Sequence, residues 1–321
     1  MLKATNIAIA KDTDEDYFAN PAISNSDLTY FRQNGYANFW NYKYGEKPRI
    51  STPQLTLGSL IHCKILEPDE VDDRFCCFTG KKPNSPNKEN FANDILLGKT
   101  PRQAYLANYK VDANKIEGKD EALYEELYGY IEYLKTSSHK TAVDSETWGI
   151  AELCVQSFYK RKEEIYKQIA GANPIKESVK EMTIYGKLCG VDCRVKVDEY
   201  LETIQNNLIL VDLKTTSASN QKSFEASIVK YGYLAQMAFY RAFLRAFDQP
   251  VEDDPFIIAI QTSAPYPVQC YRISGALLDR AEEYIERDLN MLYPYLDNPD
   301  SLLTAEQTII TLNESNFRFQ S

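Results

Sequence analysis

Two aspartates and a lysine in the second half of the chain could together bind a metal ion. Asp198 ends the run VDCRVKVD, and Asp212 and Lys214 follow the apolar run LILV in the next strand-like segment. Side chains alternate between the two faces of a strand, so Asp212 and Lys214 share one face. If the two strands are neighbours, the carboxylates repel each other unless a positive charge lies between them. A divalent cation held by carboxylate oxygens is the simplest such charge.

A surface hairpin with an ordinary Lys–Asp ion pair is the alternative interpretation. The Asp-X-Lys spacing is common by chance, and even with the apolar run before it the pattern leaves the two interpretations equal. The run LILV favours a buried strand whose charged end lies at the mouth of the sheet. There Asp198, Asp212 and the backbone carbonyl of Leu213 could supply oxygen ligands to Mg²⁺. Lys214 could orient or deprotonate an attacking water, or stabilise charge on a phosphate.

Composition limits the class of protein. The 321 residues are 44% hydrophobic and 26% charged, which predicts a globular protein with a substantial core. A net charge of −10 argues against a general nucleic-acid coat protein but does not exclude a nuclease, whose metal site is itself acidic. The seven cysteines show no CxxC spacing, so we expect no disulfide framework, zinc ribbon or iron–sulfur cluster. With no apolar run long enough for a membrane span or a signal peptide, we expect a cytoplasmic protein with no membrane contact.

Periodicity predicts helices in the first half of the chain and alternating strands and helices after Pro174. The predicted helices cover residues 26–44, 56–68, 121–135 and 148–171, and later 220–247 and 275–292, with a loop at 80–90. The predicted strands cover residues 178–186, 191–201, 208–216, 254–263 and 268–274. This order predicts an α/β fold with a mixed central sheet. We expect a helical N-terminal region, 1–173, packed on an α/β core, 174–321.

Five segments in this order resemble one family. They are ISNSDLTYF at 23–31, LGSLIHCKILEP at 57–68, GVDCRVKVD at 190–198, VDLKTT at 211–216 and KYGYLAQMAFYRAF at 230–243. The chain resembles the PD-(D/E)XK nuclease superfamily and, within it, the RecE-type (exonuclease VIII-like) phage and prophage exonucleases. The resemblance implies a restriction-endonuclease-like core flanked by helices. It places Asp198 at the first acidic position and Asp212, Leu213 and Lys214 at the (D/E)XK position.

The resemblance also implies roles for four other residues. His62 matches the histidine of a GxxxH helix, which implies that it binds the metal ion. A histidine nitrogen suits Mn²⁺ better than Mg²⁺. The residues alone favour the alternative, a buried histidine within the helix. Glu181 matches an acidic position near the metal, with Glu177 as the alternative if the register slips. Gln236 and Tyr240 match a QxxxY motif that contacts DNA phosphate or positions the lysine. Without this resemblance, the apolar stripe of the helix that contains Gln236 and Tyr240 would be interpreted as part of the hydrophobic core.

The function implied is a metal-dependent exodeoxyribonuclease that degrades linear double-stranded DNA from its ends, 5′ to 3′, for phage-type recombination. The implied partners are DNA ends, further copies of the chain in a ring, and a single-strand annealing protein. Two alternatives stay open: a structure-specific endonuclease on the same fold, and a catalytically inactive DNA-binding module. Polarity and partner proteins follow from the resemblance and not from the residues, and neither the ring size nor the physiological metal is fixed by the sequence.

Overall fold

A six-stranded mixed sheet organises the computed structural model, which describes residues 1–45, 52–80, 83–112 and 116–305. The strands are, in order across the sheet, β1 (Thr5–Ala10), β4 (Ile175–Leu188), β5 (Val191–Thr203), β6 (Leu208–Thr216), β7 (Phe256–Gln261) and β8 (Val268–Arg272). Strands β6 and β7 run parallel, and all other neighbours run antiparallel. A separate parallel pair consists of β2 (Phe75–Phe78) and β3 (Thr141–Asp144). The mixed sheet flanked by helices is the fold class that the sequence predicts.

Seven of the eleven described α-helices begin at a residue whose side chain caps the helix. The helices are α1 (Asp14–Ala19), α2 (Asn25–Lys43), α3 (Pro53–Leu66), α4 (Val71–Arg74), α5 (Pro86–Leu96), α6 (Pro101–Asn108), α7 (Lys119–Thr136), α8 (Ser145–Ala170), α9 (Gln221–Tyr231), α10 (Tyr233–Leu244) and α11 (Gly275–Leu292). Helix α2 begins with a capping box, in which the Ser24 hydroxyl accepts from the Asp27 N–H and the Asp27 carboxylate accepts from the Ser24 N–H. None of the helices in the described ranges is long and apolar enough to cross a membrane.

Helices cover both faces of the sheet and bury it. On one face α2, α10 and α11 pack on the sheet around Phe31, Val195 and Phe239, in what we call the first core. On the other face α3 and α8 pack on β6 and β7 around Ile61 and Phe158, in the second core. Helices α5, α6 and α7 share a smaller cluster of their own. The strand that carries Asp212 is therefore buried on both sides.

Several elements differ from the sequence predictions. Helices α1, α4 and α6 and strands β2 and β3 were not predicted, and α2 is interrupted at Gly35 (φ 77°). The helix predicted over 220–247 is two helices, because Gly232 adopts a left-handed conformation (φ 69°) between α9 and α10. Part of the predicted loop at 80–90 is the start of α5, which Ser85 caps and which has Pro86 in its first turn. Strand β1 was not predicted at all, and it pairs with β4 at the edge of the sheet. The strands around the candidate site lie where the sequence predicts them.

Candidate active site

Strands β5 and β6 separate at the point where Asp198 lies. Their backbone pairing ends with Glu199 opposite Val211. The Asp198 carboxylate then accepts a hydrogen bond from the backbone N–H of Leu213, with a donor–acceptor distance of 2.9 Å. This side-chain bond takes the place of the next ladder bond. It holds the Asp198 carboxylate against the Asp-Leu-Lys triplet of β6.

The strict alternation of side chains is interrupted at the same point. Strict alternation would place Val197 and Tyr200, which are three positions apart, on opposite faces of the sheet. Both pack into the first core. Opposite them on β4, Glu181 has a left-handed backbone (φ 50°), which a side chain with a Cβ adopts only at an energetic cost. As a result, neighbouring acids of β5 reach different groups. Asp198 joins the candidate site, and Glu199 accepts a 2.5 Å hydrogen bond from the Tyr166 hydroxyl.

Asp212 and Lys214 form a buried ion pair. The distance between Asp212 Oδ2 and Lys214 Nζ is 2.7 Å, and their side chains are 0% and 13% exposed. Burial raises the pKa of Asp212 to about 7, although the Lys214 ammonium opposes the rise. Burial alone would lower the pKa of Lys214, but the two aspartates raise it to about 12. Lys214 Nζ also lies 4.0 Å from Asp198 Oδ2, so one amine faces both aspartates.

His62 reaches Asp198 from helix α3. Its Nδ1 lies 3.8 Å from Asp198 Oδ2. Burial lowers the pKa of His62, and the Asp198 carboxylate and a hydrogen bond with the Leu213 backbone offset part of the effect. One turn earlier, a Cβ at Gly58 would lie 3.0 Å from the Thr215 hydroxyl oxygen, so the glycine lets α3 approach β6 closely. The imidazole is thus neutral at pH 7 and can offer a nitrogen to a metal ion.

Glu181 completes a group of three possible metal ligands. One ligand atom each from His62, Glu181 and Asp198 lies within 4.8 Å of the others. Burial, followed by the nearby Asp198 charge, raises the pKa of Glu181 to about 8. Lys196 Nζ lies 3.0 Å from Glu181 Oε2 and favours the charged form. The alternative residue, Glu177, is exposed and stands opposite Glu202 in the ladder.

A network of charges that the sequence did not reveal surrounds Lys196. Lys196 Nζ lies 3.0 Å from Asp14 and 3.7 Å from Glu67, in addition to Glu181. Arg74 belongs to the same network. Its guanidinium nitrogens lie 2.5 Å from Asp14 Oδ2 and 2.7 Å from Glu67 Oε2. The network lines a cleft of about 930 Å³ beside the candidate metal ligands. Asp14 lies far from β5 in the sequence, and no motif marks it.

Gln236 and Tyr240 face the acids from helix α10. The Gln236 side-chain amide donates a 2.9 Å hydrogen bond to the Tyr240 hydroxyl. Burial, and then the charges of Asp198 and Asp212, raise the pKa of Tyr240. About two turns before Tyr240, the ring of Tyr233 has its centroid 5.3 Å from Lys214 Nζ. The Tyr240 hydroxyl is therefore on the side of α10 that faces the two aspartates.

A divalent cation fits the donors of this site. Asp212 Oδ1 is buried and has no hydrogen-bond partner among the residues that the structure describes, which is costly for a carboxylate. Carboxylate oxygens suit Mg²⁺ and Mn²⁺, and the His62 nitrogen suits Mn²⁺ better. The structure brings His62, Glu181 and Asp198 together, and places the Asp212–Lys214 pair beside Asp198. The Leu213 N–H is used by Asp198, and a metal bond from its carbonyl stays a prediction.

Comparison with solved structures identifies the same fold elsewhere. A crystal structure of a protein from Eubacterium rectale, described as a "Putative exonuclease", aligns with a TM-score of 0.50 and 14% identity, over 96% of this chain and 98% of that one. Structures of SSO0001 and of VC1899 from Vibrio cholerae align with TM-scores of 0.23 and 0.22 and 14% and 13% identity. They cover 61% and 83% of this chain and 86% and 61% of theirs, and they carry no argument. None of the curated protein sequences matches this chain.

A family model also matches the sequence over most of its length. The model is that of the PDDEXK-like domain of unknown function (DUF3799), and the match covers residues 24–299. That segment contains every residue that we assign to the candidate site. The chain therefore belongs to the PDDEXK-like family, and its fold is that of the PD-(D/E)XK nuclease superfamily.

Proposed function

We propose that this chain is a metal-dependent exodeoxyribonuclease that degrades linear double-stranded DNA from its ends. The observation that carries the proposal is the buried Asp212 carboxylate, which has one oxygen beside Lys214 and the other without a hydrogen-bond partner in the described part of the chain. Buried carboxylate oxygens are ordinarily hydrogen-bonded, so an unpaired one suits a metal ligand. A second acid, Asp198, lies within reach of the same lysine. Two acids, one amine and an unsatisfied oxygen suit phosphodiester hydrolysis with a bound cation.

Different residues of the site would have different roles in such a reaction. Asp198 and Asp212, with Glu181 and the His62 imidazole, would hold the cation. A Mg²⁺ or Mn²⁺ ion bound there supplies positive charge and lowers the pKa of a coordinated water. Lys214 keeps its proton at pH 7 because its pKa is raised to about 12. In this charged form it would stabilise charge on the phosphate.

The Gln236–Tyr240 pair suits a positioning role. Because the Gln236 amide donates to the Tyr240 oxygen, the hydroxyl proton of Tyr240 is free to point elsewhere. The charges of Asp198 and Asp212 act on Tyr240, so its proton can be directed at a site carboxylate or at a phosphate oxygen. We propose that this hydroxyl fixes the phosphate relative to Lys214.

The finer assignment rests on resemblance. The five segments of RecE type support an exonuclease that degrades one strand 5′ to 3′ for phage-type recombination and leaves a 3′ overhang. The same resemblance supports a homo-oligomeric ring and a single-strand annealing partner. The name of the Eubacterium rectale protein is in line with an exonuclease. A ring retained around DNA would make degradation processive.

Degradation of linear DNA tests the activity. Purified protein with Mg²⁺ or Mn²⁺ should degrade blunt linear duplex, and excess chelator should stop it. A covalently closed plasmid should stay intact under the same conditions. Cleavage of the plasmid would favour the endonuclease, and no cleavage of either DNA at any metal concentration would favour the inactive DNA-binding module.

Polarity and assembly need separate measurements. Label at the 5′ end should be released before label at the 3′ end if degradation is 5′ to 3′. Sedimentation should show an assembly larger than a monomer. A monomer at high protein concentration would remove the ring from the proposal without affecting the nuclease activity.

A further inference from the structure

The corner between α9 and α10, residues 229–233, exposes apolar side chains next to the candidate active site. Val229 is 77% exposed and Tyr231 is 53% exposed. The left-handed Gly232 (φ 69°) ends α9 and allows the chain to begin α10 at once. Neither side chain belongs to a buried core of the described residues, although the Tyr231 ring packs on Tyr233. They lie at the surface in a protein of net charge −10, where polar residues would serve solubility better.

A stack of rings connects this corner to Lys214. The Tyr233 ring centroid lies 5.3 Å from Lys214 Nζ. The Tyr231 ring is stacked on that of Tyr233, with centroids 5.8 Å apart and planes at 27°. Tyr231 is thus two contacts from the lysine that faces both aspartates. The Tyr231 side chain stays 53% exposed while its ring packs on that of Tyr233.

A cation accompanies the exposed ring. Lys230 Nζ lies 5.1 Å from the Tyr231 ring centroid. Proteins that bind single-stranded nucleic acid use such pairs, in which an aromatic ring stacks on a base and a basic side chain contacts the phosphate. An exposed aromatic ring, a lysine beside it and a phosphodiester site behind it match this chemistry.

We propose that Tyr231 is a stacking platform for the base of the nucleotide next to the scissile phosphate, with Lys230 contacting the adjoining phosphate. The proposal rests on the proposed nuclease function. Bases inside a duplex already have neighbours on both faces, so only a terminal or unpaired base has a face free for Tyr231. Stacking would offset part of the free energy needed to unpair the end of a duplex. The platform therefore favours DNA ends over continuous duplex.

Binding of a single strand in the presence of chelator tests the platform without cleavage. The probe is a short single-stranded DNA with 2-aminopurine at its 5′ end, whose fluorescence falls when the base is stacked. We expect Tyr231→Ala to weaken binding about 10-fold and to abolish the quenching, since stacking on one aromatic side chain contributes roughly 5- to 100-fold. Tyr231→Phe should restore both, because the ring and not the hydroxyl stacks.

Tyr284 supplies a matched control. It is 50% exposed on α11, and Arg287 lies 5.1 Å from its ring centroid. Tyr284→Ala should bind the probe as the wild type does. Unchanged binding and quenching in Tyr231→Ala would overturn the platform, as would equal losses in the two alanine variants. A smaller assembly for Tyr231→Ala in sedimentation would also overturn it, since the corner would then be a contact between subunits.

The cleavage assay separates this proposal from the proposed function. If the wild type degrades linear DNA, Tyr231→Ala should raise KM for blunt duplex, and an unpaired 5′ tail on the substrate should recover part of the loss. If the wild type cleaves nothing, the nuclease proposal fails. The chelated binding experiment still decides whether Tyr231 stacks on a base.

Discussion

Two Lys–Asp ion pairs in the same sheet have equal lengths and opposite surroundings. Lys214 Nζ lies 2.7 Å from Asp212, with side chains 13% and 0% exposed. Lys187 Nζ lies 2.7 Å from Asp192, with side chains 41% and 74% exposed. Water solvates the exposed pair, so it contributes at most about 1 kcal/mol to stability. The buried pair has no such solvation.

The difference lies in what else each pair contacts. The buried pair has a second carboxylate, Asp198, 4.0 Å from the lysine, and burial raises the pKa of Asp212 to about 7. Among the described residues, the exposed Lys187 has no second carboxylate within ion-pair distance. An ion pair between strands is therefore no sign of chemistry by itself. The sign of chemistry is a buried carboxylate with an unsatisfied oxygen next to a second acid.

Asp212→Asn should give the largest effect. Loss of the negative charge removes a metal ligand, and we expect cleavage of linear DNA to fall by at least about 10³-fold. Asp192→Asn, the same change in the exposed pair, should leave the rate unchanged. Both variants should unfold cooperatively on heating. A fully active Asp212→Asn protein would contradict the assignment of this residue.

Lys214→Met should give the second largest loss of activity. It removes the ammonium that would stabilise the phosphate, and we expect a loss of about 10²- to 10³-fold in kcat. Lys187→Met serves as the control and should be as active as the wild type. An equal loss in the two methionine variants would show that the buried pair has no special role.

Metal binding should stabilise the fold. At a Mn²⁺ or Mg²⁺ concentration of about 100 times Kd, we expect a gain of about 3 kcal/mol in the free energy of unfolding, seen as a higher Tm. Asp198→Asn should lose most of this gain, whereas Asp192→Asn should keep it. If Asp198→Asn responds to the metal as strongly as the wild type, Asp198 is not a ligand.

Stability without metal should depend on pH through Asp212. Its pKa is raised to about 7 in the fold, from about 3.9 in an unfolded chain, so the folded protein holds a proton that the unfolded chain has lost. This stabilising contribution is complete below about pH 4 and is lost as pH rises to about 7. Lys214 stays charged throughout. In chelator, Asp212→Asn should therefore gain stability relative to the wild type as pH rises from about 4 to about 7, and Asp192→Asn should not.

The smallest effect is expected at the Lys196 network. Asp14 is 38% exposed and is one of three acids around Lys196. Asp14→Asn should change the free energy of unfolding by less than about 1 kcal/mol and cleavage by less than about 3-fold. A large loss of cleavage would mean that Lys196 needs all three acids to hold Glu181 in position.

Local patterns allowed much of the fold to be predicted. The alternation in residues 191–201 and the apolar run at 208–211 predicted β5 and β6, because these strands are buried and their side chains follow the pleat. The left-handed Gly232 was missed, since a glycine inside a helical pattern is compatible with both a continuous and a broken helix. Strand β1 is short and lies at the edge of the sheet, where the burial pattern is weak.

The candidate site was predictable where one strand pair carries it. Asp212 and Lys214 are two positions apart, and period two places them on one face. The contact of His62 with Asp198 depends on the packing of α3 against β6, for which the resemblance and not the spacing gave the signal. Asp14 and Arg74 had no signal, because their ion pairs join segments far apart in the chain. The interruption of the side-chain alternation near Glu181 depends on a left-handed backbone torsion, which cannot be predicted from the residue type.

Location of bound Mn²⁺ by anomalous scattering tests the central claim most directly. Crystals grown with Mn²⁺ should show an anomalous peak within coordination distance of the carboxylates of Asp198 and Asp212, with Glu181 or His62 beside it. Crystals of Asp212→Asn should lose that peak or show it much weakened. A wild-type crystal at saturating Mn²⁺ with no peak there, and with the Lys214–Asp212 pair unchanged, would contradict the account.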